Sequence, residues 1–558
     1  MVQRRQNSKV GSGLSRRELL EAGALGGAVA LAGPLACSRQ KEPADSTVDS
    51  TSVPFRGEDF ALSEFSILEL QAAMESGRWT AQDITTMYLE RIEALDRQGP
   101  ELNSILETNP DALSIAQRLD EERQSGGSRG PLHGIPVLLK DNIATNDQMT
   151  TTAGSLALEG CVAPADAWVA HRLREAGAIL LGKANLSEWA NFRSSQSSSG
   201  WSGRGGQCRN PYVLDRNPCG SSSGSGVATS ASLTAVSLGT ETDGSVVCPA
   251  NANGLVGVKP TVGLISRSGI VPIAHSQDTA GPMTRTVADA AVLLSALVGV
   301  DPADKATRGN EERATLDYSS VLDPEGLSGA RIGVARQYFG FHPGVDATLG
   351  EALDAMKGQG AELIDPVEFS TRGQFGDAEY EVLLYEFKTD LNWYLANLGP
   401  STTVKSLADL IRFNDENADS EMPFFGQDIF LEAESRGDLT SPEYTSALEL
   451  CRQATRTGGI DSVMDQHRLD AIVAPTGGPA WTTDLVNGDH FLGGSSSYAA
   501  VSGYPNITVP AGFVHGLPVG LSFFGRAWSE PLLLKLAFAF EQATQARREP
   551  TFKPTVSS

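Results

Sequence analysis

Residues 134–140 (GIPVLLK) end an apolar run on Lys140, and residues 218–226 (PCGSSSGSG) gather four serines between glycines. Gly and Ser supply 17 of the 34 residues from 193 to 226, a density found in solvated tethers. The cluster nevertheless runs straight into a small-residue helical pattern at 227–238, then GTETDGS at 239–245 and an apolar run. Linkers do not end that way. A second reading takes GSSSG (220–224) as the GxSxG nucleophile elbow of a serine esterase, with Ser222 attacking and His490 or His515 as a distant base. That turn must be fed by a strand, and residues 209–218 hold two prolines and little apolar content.

Lys140 carries sharper chemistry. Next to Val137 and Leu139 its amine is desolvated unless it snorkels to water or pairs with a carboxylate such as Asp141. Held without an anion it loses basicity, and a fall from ~10.4 to near 7 takes on the order of 5 kcal/mol. A fold maintains that where a neutral amine serves as a base.

Taken together, GIPVLLKDN (134–142), PCGSSSGSG and GTETDGSVVCPANANGLVGVKPTVGLISRSG (239–269) resemble the amidase signature family, serine hydrolases with a Ser-Ser-Lys triad. TAGS (152–155), GKANLSEW (182–189) and GVKPT (257–261) extend the likeness, which runs from about residue 63 to 553. The resemblance implies that Ser245 is the nucleophile, Ser221 the bridging serine and Lys140 the base. It further implies an oxyanion hole from the backbone N–H groups of Thr242, Asp243, Gly244 and Ser245, a supporting role for Ser222, and a cis peptide bond before Ser221. Chemically, a serine hydroxyl needs a positioned acceptor for its proton. A second serine can pass that proton on, because a hydroxyl both donates and accepts. Acyl transfer of this kind calls for no metal and no organic cofactor. Two departures stand out: CGSSSG where the family often has GGSSGG, and GTETDGS where it often has GTDTGGS. The second, with EFKTDLNWYL (386–395) and PFFGQDIF (423–430), resembles the peptide-amidase branch, whose substrates are peptide C-terminal amides.

The elements that must position these residues read as α/β. Strand-length apolar runs fall at 134–140, 178–181, 331–335, 470–474, 507–509 and 519–524, with helical patterns between some of them at Trp168–Glu175 and Val287–Leu297. Ile67, Leu70 and Met74 share a helix face, and Thr80-Ala81-Gln82-Asp83 reads as a capping box. The expected fold is one large domain, residues 57–553, with a central mixed, mostly parallel twisted sheet covered by helices on both faces. Residues 370–460, rich in charge and aromatics, read as a helical insertion. There Tyr385, Glu386, Asp390, Phe424 and Phe425 either shape a pocket or pack. A short tail, 554–558, closes the chain.

Residues 1–36 read as a twin-arginine export signal: Arg16 and Arg17 precede an uncharged run from 22 to 33, too short for a bilayer span of roughly 20 residues. Ala30-Leu31-Ala32 suits a signal peptidase, whereas Pro34-Leu35-Ala36-Cys37 resembles a lipoprotein box that would anchor Cys37 to the membrane. Residues 37–56 then form a polar tether. The expected location is periplasmic or cell-envelope, and the expected partners are the export machinery and a small-molecule or short peptide amide. A formal charge of −24, from 68 acids against 44 bases, argues against nucleic acid as a partner. Beyond Cys37 five cysteines remain, which permits one or two bridges outside the cytoplasm, and no Cys/His spacing points to a metal. Two further classes share parts of this pattern: the glutaminase subunit of a tRNA-dependent amidotransferase, and a non-catalytic peptide-binding protein.

Overall fold

The computed structural model describes residues 60–556, so the export-signal reading, the tether up to residue 56 and Cys37 lie outside the described residues. The opening helices are set by their caps. Ser66 and Glu69 form a capping box on Ile67–Glu75, and Thr80 and Asp83 form the expected one on Ala81–Ile92. Each box satisfies two of the donors that a helix start leaves free.

Among the described residues thirteen strands follow in chain order: β1 Ile105–Thr108, β2 Pro136–Lys140, β3 Ile179–Ala184, β4 Trp201–Ser202, β5 Gly206–Gln207, β6 Val236–Glu241, β7 Val256–Lys259, β8 Thr279–Thr284, β9 Arg331–Val334, β10 Glu362–Ile364, β11 Ala471–Pro475, β12 Asn506–Val514 and β13 Leu517–Phe524. Strands β4 and β5 pair alone; the other eleven make one sheet, in the order β1-β3-β2-β6-β8-β7-β12-β13-β11-β9-β10. Every residue of β2, β3, β6, β8 and β13 is buried, as expected for strands with both faces covered.

The sheet is mixed, as expected, but less parallel than the apolar runs imply. Within it only β2–β3, β2–β6, β9–β11 and β9–β10 pair in parallel. The centre, from β6 through β8, β7, β12 and β13 to β11, is antiparallel. His515 and Gly516 both take positive φ (51° and 81°) and fold β12 straight back onto β13, the backbone a tight hairpin requires. A second correction concerns 227–238, read as helical. The helix is Ser223–Ser230, beginning inside the serine cluster, and β6 has started by Val236. Its small side chains let it lie close on that strand. Ser225 Oγ donates to the Leu238 carbonyl at 3.0 Å and Thr229 Oγ1 to Ser237 Oγ at 2.8 Å.

The insertion is helical over Gly376–Asn397, Leu407–Glu416, Asp428–Glu434 and Pro442–Arg452. Leu384, Phe387, Leu391, Leu407, Leu410 and Phe430 pack with Trp189 and Phe192 of the main body into a separate apolar cluster. A buried ionic group adds to this join: Arg193 lies 3.0 Å from Glu188 and also reaches Glu421, all three fully buried.

Candidate active site

Sheet order brings the three motifs together. Lys140 is the last residue of β2, and β6, its parallel neighbour, runs into the turn that carries Ser245. Ser221 and Ser222 precede the short helix that packs on β6. Gly239 allows that approach, since a Cβ there would stand 2.7 Å from Ser222 Oγ. The Gly220–Ser221 peptide bond is cis.

Lys140 is fully buried, and its Nζ lies 2.7 Å from Ser221 Oγ, 2.9 Å from Thr240 Oγ1 and 3.3 Å from the Thr240 carbonyl oxygen. Those partners suit a neutral amine. Two N–H bonds can go to Thr240 and the lone pair can accept the Ser221 proton, whereas an ammonium has no lone pair to offer. Burial lowers the Lys140 pKa from 10.5 to about 7, against the weaker pull of Asp278 and Glu241. At about 1.4 kcal/mol per unit that is about 5 kcal/mol held against the charged form. Asp141, the neighbouring acid, turns away: its carboxylate takes the Thr152 hydroxyl and faces Arg204 at 3.6 Å. Buried Lys183 and Lys259 differ. Each donates to a main-chain carbonyl at 2.6 Å, and each falls only to about 8.

Ser245 lies on the floor of a cleft of about 450 Å³, lined also by Thr242, Asp243, Gly244, Gly220 and Glu379. Its carbonyl accepts the Ser222 N–H at 3.2 Å, which holds the two serine-bearing turns together. No hydrogen bond joins the Ser221 and Ser245 hydroxyls directly. The N–H groups of Thr242, Asp243, Gly244 and Ser245 make no hydrogen bond to another described residue, and Gly244 takes φ +80° in the turn. A stretch of free N–H groups at a cleft floor can receive a developing oxyanion. Ser222 is fully buried, and its hydroxyl both donates to the Thr240 carbonyl (3.1 Å) and accepts the Thr240 N–H (3.2 Å). It braces β6 rather than Lys140 itself, and no strand feeds its turn, so the elbow reading does not match.

Three supports, Asn142 and Glu241 inside the motifs and Asp278 beyond them, have no chemical signature of their own. Asn142 donates to Thr240 Oγ1 at 2.9 Å. Glu241 takes the N–H groups of Val246 and Val247 at 2.8 and 3.0 Å, fixing the turn after Ser245. Asp278 accepts the Thr242 hydroxyl at 2.6 Å. Of the insertion residues singled out, Tyr385 packs in the core, and Phe425 lies under Arg193 (4.3 Å) and edge-on to Trp201. Phe424 is largely exposed, while Asp390 and Glu386 lie 2.8 and 3.4 Å from the His275 ring. The insertion contributes Gly376, Glu379, Tyr380 and Leu383 to the cleft wall instead.

A family model described as Amidase matches residues 83–534. This chain belongs to the amidase signature family. The amidase is 44% identical over 502 residues to a probable amidase of Arabidopsis thaliana, covering 88% of this chain and 92% of that protein. It is 50% identical to the native peptide amidase of Stenotrophomonas maltophilia, whose structure superposes with a TM-score of 0.84 over 88% of this chain and 99% of that one. A glutamyl-tRNA(Gln) amidotransferase subunit of Halorhodospira halophila is 33% identical over 512 residues, 87% of this chain and 98% of that protein. The chain is thus an amide-hydrolysing enzyme.

One disulfide, Cys219–Cys248, ties the two turns of this amidase together. Cys219 lies two residues before Ser221 and Cys248 three after Ser245, and both line the cleft. Closing a loop across a separation of 29 residues removes about 3.5 kcal/mol of chain entropy from the unfolded state in the loop-closure model. The Cys219→Ala/Cys248→Ala double variant is expected to melt several degrees lower and to lose about 3- to 10-fold in kcat/KM. The loss stays modest because the Ser222 and Thr240 hydrogen bonds still hold the turns. Scanning calorimetry and initial rates check both; an unchanged rate would make the bridge purely a stability device.

Proposed function

We propose that this amidase hydrolyses carboxylic amides, peptide C-terminal amides foremost, to the acid and ammonia through an acyl-enzyme on Ser245. The observation that carries the reading is Lys140, buried without an anion and 2.7 Å from Ser221. Ser245 Oγ attacks the amide carbon and gives its proton to Ser221, which passes its own to the neutral Lys140 amine. The N–H groups of residues 242–245 receive the oxyanion. As the intermediate collapses the relay runs backward, protonates the leaving nitrogen and frees ammonia. Water then repeats the sequence on the ester. The likeness to a peptide amidase at 50% identity over nearly the whole of that chain supports the substrate class.

Location outside the cytoplasm forms part of the same proposal. The twin-arginine stretch supports it, as does a disulfide beside the active site, since such bridges persist in oxidising compartments. Lipid attachment at Cys37 belongs to the same reading. A role within an amidotransferase has the 33% identity to such a subunit in its favour. The two readings part on one measurement: ammonia released by the purified chain from peptide amides, amino-acid amides, short acyl amides and glutamine. Turnover of N-blocked peptide amides by the chain alone is the expected result. Activity confined to glutamine would favour the amidotransferase role.

A further inference from the structure

The substrate cleft has a charge of one sign. Among the described residues no lysine, arginine or histidine lines it, whereas two carboxyl groups do, Asp243 and Glu379. Both are partly exposed, and they come from different parts of the chain: Asp243 from the Ser245 turn, Glu379 from the insertion helix Gly376–Asn397. They are held facing each other. The Ser496 hydroxyl donates to Asp243. Gln277 Nε2 donates both to Glu379 Oε1 at 3.1 Å and to the Thr242 carbonyl at 3.3 Å, tying the insertion carboxyl to the turn. Burial, and then the neighbouring Asp243 charge, push the Glu379 carboxyl well above its ordinary range. Burial and a carboxyl neighbour both favour the protonated form of Glu379. None of this is needed for acyl transfer; a negative charge beside an oxyanion hole works against it.

When the leaving group is ammonia, all the rest of the substrate lies on the acyl side, and its last residue must occupy this cleft next to the turn. A carboxylate brought there meets groups of its own sign, while an ammonium meets a counter-ion. We propose that Asp243 and Glu379 are the charge-selecting residues of this amidase. They admit amides whose adjoining residue is neutral or basic, and turn away those whose adjoining residue carries a carboxylate. The inference rests on the peptide-amide reading above.

The test uses N-acetyl dipeptide amides ending in Gln, Glu or Lys, read by ammonia release. Wild-type kcat/KM is expected to be at least about 10-fold higher for the Gln than for the Glu amide, with Lys at or above Gln. Either single neutralisation leaves a carboxyl group that can ionise, so Asp243→Asn/Glu379→Gln is the decisive variant; its three values should fall within about 3-fold of one another. Such ratios are internal to each variant and survive a general loss of rate. If turnover becomes too slow, the same ratios are read as Kd on a Ser245→Ala background. Should the double variant fail to fold, Glu379→Lys, which sets an ammonium beside Asp243, is expected to bring the Gln, Glu and Lys values within about 3-fold of one another. A wild-type Gln to Glu ratio below about 3, or a ratio that persists in the double variant, overturns the proposal. Absence of ammonia from every peptide amide would instead sink the substrate reading.

Discussion

Ser245→Ala is expected to remove acylation altogether, with a fall in kcat of at least about 10⁴-fold and no labelling by a fluorophosphonate probe. Losing a nucleophile that works within a relay costs nearly the whole of the covalent pathway, because the remaining groups cannot substitute for the attacking atom. Ser222→Ala is the contrasting case. Its hydroxyl is spent on both main-chain groups of Thr240, so the change exposes two unsatisfied groups and destabilises by about 1–3 kcal/mol, yet the nucleophile remains. Ser222→Ala should therefore keep probe labelling and lose no more than about 10-fold in kcat. Mass spectrometry of the labelled peptides decides the matter: a label on Ser222, or its survival in Ser245→Ala, would return the esterase elbow to consideration.

The second large effect is the dependence on Lys140. Only the neutral amine accepts a proton, so activity is low below the folded-state pKa and rises as pH passes through about 7. The expected profile of kcat/KM climbs about 10-fold per unit below that value and flattens above it. Asp278, which burial pushes up to about 6, ionises in the same pH direction. The profile is therefore also recorded for Asp278→Asn, where a limb should remain but move to lower pH, because the Asp278 charge pulls the Lys140 pKa up. Lys140→Ala is expected to cost at least about 100-fold and to lose that limb, since a general base is worth 10²–10⁴-fold. Lys140→Arg should be equally inactive: a guanidinium keeps the positive charge but stays protonated. An arginine variant with more than about a tenth of wild-type kcat would mean that the site needs a cation rather than a base.

Much of this site can be read before any folding is considered. Lys140 closes an apolar strand-length run, and GTETDGS ends on Ser245. Both patterns are local, and residue types at fixed spacing carry them. Helix starts such as Thr80–Asp83 are local too, because a cap is made by side chains three residues apart. The serine cluster is harder to read, since its composition alone describes a tether. Buried against β6, its glycines and serines are small because backbone must approach backbone there, and no hydrophobic period marks a helix that is buried all round.

What the chain could not disclose locally are facts of pairing across distance. Whether β6 neighbours β2, and so whether Lys140 meets Ser221 rather than Asp141, depends on a sheet whose strands are far apart in sequence. The antiparallel β12–β13 pair depends on the His515–Gly516 turn, which apolar runs do not encode. Cys219 and Cys248 are partners because the two turns they flank converge, and Glu379 faces Asp243 because an insertion helix lies over the cleft. The physical reason is the same throughout. Desolvation and charge coupling act through space at a few ångströms, so a sequence can name the groups able to react, while only the packed sheet and its covering helices decide which of them lose their water together.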